Sequence, residues 1–162
     1  MDIRIGLGYD VHQFKQGSSV ILGGVQIPCR YSLKGHSDAD VLLHAITDAV
    51  LGAVSLGDIG THFPDTDPAW KGADSRELLK QAYLLVKKEG YVLGNVDATV
   101  VAEEPRLKNY VEPILKSIAE CLECEPGQLS VKATTSEKMG FIGREEGIAV
   151  HAVALLVKQD LS

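Results

Sequence analysis

The stretch GHSDADVLLHAITDAVLGAVSLG, Gly35 to Gly57, decides the fold. Leu42, Ile46, Ala49, Val50 and Ala53 recur at helical spacing and give one apolar face. Ser37 or Asp38 can cap its start, and Gly57 is placed to end it. The flanks of this helix read as strands. Upstream, Ile3 to Tyr9 alternates around glycines, and Ser19 to Ile27 is extended, carries Gly23-Gly24 and stops at Pro28. Downstream, Gly57 to Gly72 is a loop rich in Gly, Asp and Pro. A second helix starts at Asp74 or Ser75, turns Leu78, Leu79, Ala82, Leu85 and Val86 inward, and stops at Gly90. Asn95 to Val101 is a strand. Tyr110 to Glu123 is a helix with Pro113 in its first turn, where proline is tolerated. Leu129 to Ala133 and Ile148 to Val157 are strands around a glycine-punctuated loop, Thr134 to Gly147. Interleaved strands and helices predict a single α+β domain over residues 1–162, one sheet layered by helices. Such a sheet keeps an exposed face or edge, which suits oligomerisation.

Composition bounds the function. At 45% hydrophobic residues the chain can bury a core, so disorder is excluded. No run of about 18 apolar residues exists to span a membrane. The strand beginning at Ile3 leaves no room for a signal peptide, and Cys29, Cys121 and Cys124 are too few for a disulfide scaffold. The expectation is a soluble, cytoplasmic protein of a reducing compartment. The net charge of −6 is the wrong sign for a general nucleic-acid binder. An acidic protein can still handle phosphates if metal ions supply positive charge.

Four clusters could carry chemistry. Asp10 and His12 sit at positions i and i+2 near the end of the first strand, on one face, with Cα atoms about 7 Å apart. His44 lies on the helix, four residues from both Asp40 and Asp48, either of which could orient its imidazole. One carboxylate and two imidazoles make a Zn2+ set with a fourth position open to substrate. Singly, Asp10 could cap a turn, His12 could be a surface side chain and His44 a core histidine. Gly35-His36-Ser37-Asp38 opens a helix and can receive an anion on free backbone N–H groups, or be a plain capping turn. Phe63-Pro64-Asp65-Thr66-Asp67 lies in a long loop whose carboxylates suit the hydroxyls of a polyol, or simply a solvated turn. Lys132 to Lys138 sets hydroxyls beside Glu137, a candidate carboxylate for a second divalent ion, unless it is only a polar turn. Cys121-Leu122-Glu123-Cys124 lacks a second pair for a zinc ribbon and reads as structural, and His62 and His151 have no evident partner.

Taken together, GLGYDVHQF (6–14), ILGGVQIP (21–28), GHSDADVLLHAITDAVLGA (35–53), LGDIGTHFPDTDPAWKGADSRELL (56–79), GYVLGNVDATVVAEEPRL (90–107) and VKATTSEKMGFIGREEGIAVHAVALL (131–156) resemble the 2-C-methyl-D-erythritol 2,4-cyclodiphosphate synthase family of the non-mevalonate isoprenoid pathway. The resemblance runs from Ile3 to Lys158. Ala39 stands where that pattern often has Gly, and Ser136 where Thr is common; neither change removes a ligand.

The resemblance implies a mixed sheet with helices on one face, in a trimer-forming architecture like that of Bacillus chorismate mutase. It implies Zn2+ on Asp10, His12 and His44, with the first two also near substrate, and phosphate contacts from His36 and Ser37. Asp58, Ile59 and Gly60, with Phe63, Pro64, Asp65, Thr66 and Asp67, would hold the methylerythritol part. Ala102, Glu103, Glu104, Pro105, Arg106, Leu107 and Lys108, with Thr134, Thr135, Ser136 and Glu137, would form the cytidine and diphosphate pocket. Glu137 would bind Mg2+ or Mn2+, and His36 and Thr135 would stabilise the transition state. Active sites would lie between subunits of a homotrimer, with Phe141 and Arg144 facing an isoprenoid diphosphate in a central channel. The implied reaction is that of a phosphorus-oxygen lyase releasing CMP. A zinc phosphohydrolase with the same triad, and a trimeric sensor of anionic metabolites, are the competing readings.

Overall fold

In the computed structural model, which describes residues 2–160, the first strand sets the register of everything else. This strand, β1 (Ile3–Gln16), buries Gly6, Gly8 and Phe14 on one side and leaves Ile5, Leu7, Tyr9 and Val11 exposed on the other. It runs well past Tyr9, where the apolar alternation stops. Asp10 and His12 are therefore mid-strand rather than terminal, and they continue the inward-facing parity. The polar inward residues hid the continuation.

Ser19 to Pro28 is not one extended stretch. It folds into a hairpin of β2 (Ser19–Leu22) and β3 (Val25–Pro28), joined at Gly23-Gly24 with φ of 63° and 77°. Two successive positive φ angles are what a two-residue hairpin turn of this hand requires. A three-residue strand, β4 (Tyr31–Leu33), then pairs with the end of β1.

Helix α1 (Val41–Ala53) is capped by Asp40, not by Ser37 or Asp38. Ala39 adopts a left-handed φ of 58°, which delays the helix start. The helix ends at Ala53, before Gly57, and is buried almost all round. The loop that follows contains α2 (Ile59–His62), capped by Asp58, and a 3-10 turn, Pro68–Trp70. Helix α3 (Ser75–Lys88) is capped by Asp74 and stops at Glu89 and Gly90; of its expected inward residues Leu78, Leu79, Ala82 and Val86 are buried, while Leu85 is half-buried at the edge of that face. Strand β5 (Tyr91–Val101), helix α4 (Val111–Leu122) and strand β6 (Leu129–Thr134) form a parallel crossover. Helix α5 (Gly140–Gly143) is a single turn, and β7 (Gly147–Lys158) closes the chain.

The main sheet has five strands in the order β4-β1-β7-β5-β6, antiparallel except for β5 with β6. It is the mixed sheet of an α+β domain. Helix α1 packs on β1 and β7, closer than any side chain on the strand would allow. A Cβ on Gly6 would lie 1.8 Å from the Ala49 carbonyl oxygen, and one on Gly8 1.8 Å from that of Ala45. The bare strand backbone thus sets the distance between β1 and α1. The far face of the sheet is apolar and open, with Ile5 67%, Leu7 68% and Val153 43% exposed. No helix among the described residues is long and apolar enough to cross a membrane.

Candidate metal centre and cleft

Because β1 and α1 touch, Asp10, His12 and His44 converge. Asp10 Oδ2 lies 2.9 Å from His12 Nε2 and 3.3 Å from His44 Nδ1, and the two ring nitrogens are 3.3 Å apart. Each imidazole has its other nitrogen engaged. His12 Nδ1–H donates to the Lys34 carbonyl at 2.6 Å, a carbonyl placed by the β1–β4 pairing. His44 Nε2 faces Ser75 Oγ at 2.8 Å and Ser37 Oγ at 3.1 Å. Asp40 and Asp48 do not orient His44. Asp40 is fully buried and accepts N–H bonds from Gly23, Gly24 and Leu43, while Asp48 accepts from the Ile59 N–H. Both sit one helical turn from His44, so spacing alone could not separate them from true partners.

The donor set fits a divalent cation. A neutral His12 that donates from Nδ1 points a lone pair from Nε2 at an acceptor-only carboxylate and at a second imidazole. That arrangement repels unless a proton or a cation is shared among the three groups. Burial pushes the Asp10 carboxyl up, but the imidazoles of His12 and His44 beside it outweigh burial and hold the group at about 2. Burial lowers the His12 pKa, yet the Asp10 hydrogen bond and the Lys34 carbonyl more than offset this and raise it above its usual value. One carboxylate and two imidazoles within 4.8 Å of one another are a borderline-soft N/O set of the kind Zn2+ takes. No other group of three such side chains occurs among the described residues.

The cluster lies against a cleft of about 410 Å3 lined by His12, His36, Ser37, His44, Ile59, Gly60, Phe63, Pro64, Asp65, Thr66, Trp70 and Leu78. Trp70 and Leu78 were not expected from sequence. Trp70 packs edge-on against Phe63, centroids 5.1 Å apart, and its being the sole tryptophan in a long loop was the available signal. Asp58 and Asp67 are not in the lining. Asp58 accepts from the Thr61 N–H and hydroxyl, and Asp67 from the Ala69 N–H, so both serve as caps.

A second recess of about 460 Å3 gathers Ala102, Glu103, Pro105, Arg106, Leu107, Lys108, Val111, Ala133, Thr134 and Thr135. It shares no residue with the first. Glu104 turns away to pair with Arg30 at 3.0 Å, and Ser136 donates to the Met139 carbonyl at 2.7 Å. Glu137 is exposed, with a left-handed φ of 54°, and belongs to neither recess. Phe141 and Arg144 also lie outside both, Arg144 pairing with Glu146 at 2.9 Å. Cys121 is buried and Cys124 half-buried, both free thiols. His62 donates to the Leu56 carbonyl at 2.7 Å, and His151 rests on Tyr9 on the open sheet face.

An α+β domain with a carboxylate–bis-imidazole centre beside a cleft is the class these features define. A model of the YgbB family matches residues 3–157. The chain belongs to that family. It is 61% identical over 156 residues to the 2-C-methyl-D-erythritol 2,4-cyclodiphosphate synthase of Ectopseudomonas mendocina, covering 96% of this chain and 99% of the relative. The synthase of Shouchella clausii is 61% identical over 158 residues, covering 98% and 99%. Among solved structures, the bifunctional IspDF of Campylobacter jejuni aligns with a TM-score of 0.94 at 48% identity, covering 98% of this chain and 43% of that one. A CDP complex of Plasmodium falciparum IspF aligns with a TM-score of 0.86 at 39% identity, covering 98% and 97%.

Proposed function

We propose that the chain closes 4-diphosphocytidyl-2-C-methyl-D-erythritol 2-phosphate into 2-C-methyl-D-erythritol 2,4-cyclodiphosphate and releases CMP, as a phosphorus-oxygen lyase. The observation that carries this reading is the Asp10–His12–His44 cluster beside a cleft, in a chain of the synthase family. The nucleophile is the substrate's own 2-phosphate, already anionic near neutral pH because its second pKa is about 6. No strong general base is then needed. The difficulty is bringing two anions together in line. His36 and Ser37, both in the lining, would donate to phosphate oxygens. Ile59, Gly60 and the Phe63–Thr66 segment fix the polyol in a ring-closing conformer, which removes entropy before the chemical step. A divalent ion held by Asp10, His12 and His44, Zn2+ by its donor set, supplies positive charge against the anionic phosphates. The second recess takes the cytidine diphosphate part, consistent with the CDP complex of the P. falciparum relative. Thr135, in that recess, would stabilise the transition state together with His36, and Glu137, just outside it in sequence and in neither recess, would hold Mg2+ or Mn2+.

The cleft and the nucleotide recess share no residue, and the sheet offers an apolar face. A homotrimer, built in the manner of Bacillus chorismate mutase, would bury that face and complete each cleft with a neighbour's recess. Phe141 and Arg144 would then face a central channel suited to an isoprenoid diphosphate. Free thiols and the absence of a long apolar helix among the described residues suit a cytoplasmic enzyme. The test is phosphorus NMR on protein incubated with the cytidyl substrate. The expected products are CMP and a cyclic diphosphate. An uncyclised phosphate would instead mark a hydrolase and overturn the reading.

A further inference from the structure

We infer that Ser75 and Asp38 form a hydrogen-bonded relay that fixes the ring tautomer of His44, making them positioning residues for the metal centre. The inference rests on the reading of Asp10, His12 and His44 as a metal site. Ser75 is the first residue of α3 and is fully buried. Its Oγ is hydrogen-bonded to Asp38 Oδ1, and its N–H donates to Asp38 Oδ2 at 2.9 Å. An ionised carboxylate only accepts, so the hydroxyl proton of Ser75 is committed to Asp38. The Ser75 oxygen is left as an acceptor, 2.8 Å from His44 Nε2. Nε2 must then carry the ring proton, and Nδ1 presents its lone pair towards Asp10 and His12.

Ser37 also reaches His44 Nε2, at 3.1 Å, but it is half-buried and lines the cleft, where it can turn to a ligand. Ser75 does not line the cleft. The two serines thus divide the work. Ser37 can leave the imidazole when substrate arrives, and Ser75 keeps it in the ligating form. Asp38 is held for this task by its own N–H to the Ala73 carbonyl at 3.2 Å, which ties the loop before α1 to the start of α3.

Two measurements on the full chain test this, nitrogen-15 shifts of the His44 ring in metal-free protein and Zn2+ affinity by chelator competition. In wild type the proton should sit on Nε2. Ser75→Ala should move it towards Nδ1, facing Asp10, and weaken Zn2+ binding about 10- to 100-fold. The helix should survive, because Asp74 remains its cap. Asp38→Asn should act in the same direction and serves if Ser75→Ala does not fold. Ser37→Ala should change Zn2+ affinity less than either. Unchanged tautomer and affinity in both Ser75→Ala and Asp38→Asn would overturn the relay alone. Wild-type protein that takes up no Zn2+ would overturn the metal-site reading as well.

Discussion

Asp10 and His12 are neighbours on one strand, but protons treat them differently. With its carboxyl held at about 2, Asp10 stays ionised throughout the working range. The pKa of His12 is raised, so it holds a proton further up the scale and must shed it before it can ligate. Zn2+ affinity should therefore be full above the His12 pKa. Below it, affinity should drop about tenfold per pH unit for that proton. Chelator competition at pH 8, 7 and 6 would show this slope, and a flat profile would remove His12 from the ligand set. The pairing of Asp10 with His12 was legible from strand parity, whereas His44 joined the proposed set through the family resemblance, because the packing of α1 on β1 that brings it in is written in no local pattern. The supports of His44 were not legible either. Ser75 reaches His44 across 31 residues of chain and is itself held by Asp38 across 37, contacts that no local pattern records.

At the scale of elements, the spacing of β1 and α1 decides whether the ligands meet. Gly8→Ala would drive a methyl into the Ala45 carbonyl, one residue from His44. The expected cost is about 1–3 kcal/mol in stability. A shift of about 1 Å at the ligands would cost on the order of 100-fold in turnover. Denaturation and CMP-release assays would check both; wild-type turnover in Gly8→Ala would mean the helix is not the ruler. Asp40 is the other joint. It caps α1 while holding both N–H groups of the Gly23-Gly24 turn. Burial pushes its carboxyl up to about 6, against the pull of those three donors. Asp40→Ala should destabilise by about 2–4 kcal/mol, since it strips a cap and orphans buried donors. Urea titration would measure it, and a loss below about 0.5 kcal/mol would show the hairpin to be independently held. Helix α3 was readable because its apolar period and its Asp74 cap agree, and α4 because its bounds fall within a residue of those read from the sequence. The hairpin and β4 were not, because strands of three or four residues carry too little alternation to separate from loop. The true cap of α1 was hidden because its partners lie 16 and 17 residues upstream.

For the whole molecule, the separation of the cleft and the proposed nucleotide recess makes a quantitative prediction. His44→Ala damages the cleft and Thr135→Ala the recess, and each alone should be nearly inactive. If neighbours complete one another's sites, reassembling the two variants in equal amounts pairs an intact cleft with an intact recess at about a quarter of the sites. Activity should recover to that level after mixing and exchange. No recovery would place both halves of the site within one chain. The sequence signalled an exposed sheet face but not its composition, since Ile5, Leu7 and Val153 read equally well as core until the helices are seen on the other side. The same separation has a pharmacological corollary. A small compound shaped to the cleft alone would engage every copy regardless of its neighbours. In the proposed trimer, two fragments on a tether, one for each recess, would instead staple adjacent copies, and the melting temperature of the protein would report whether the tether is long enough.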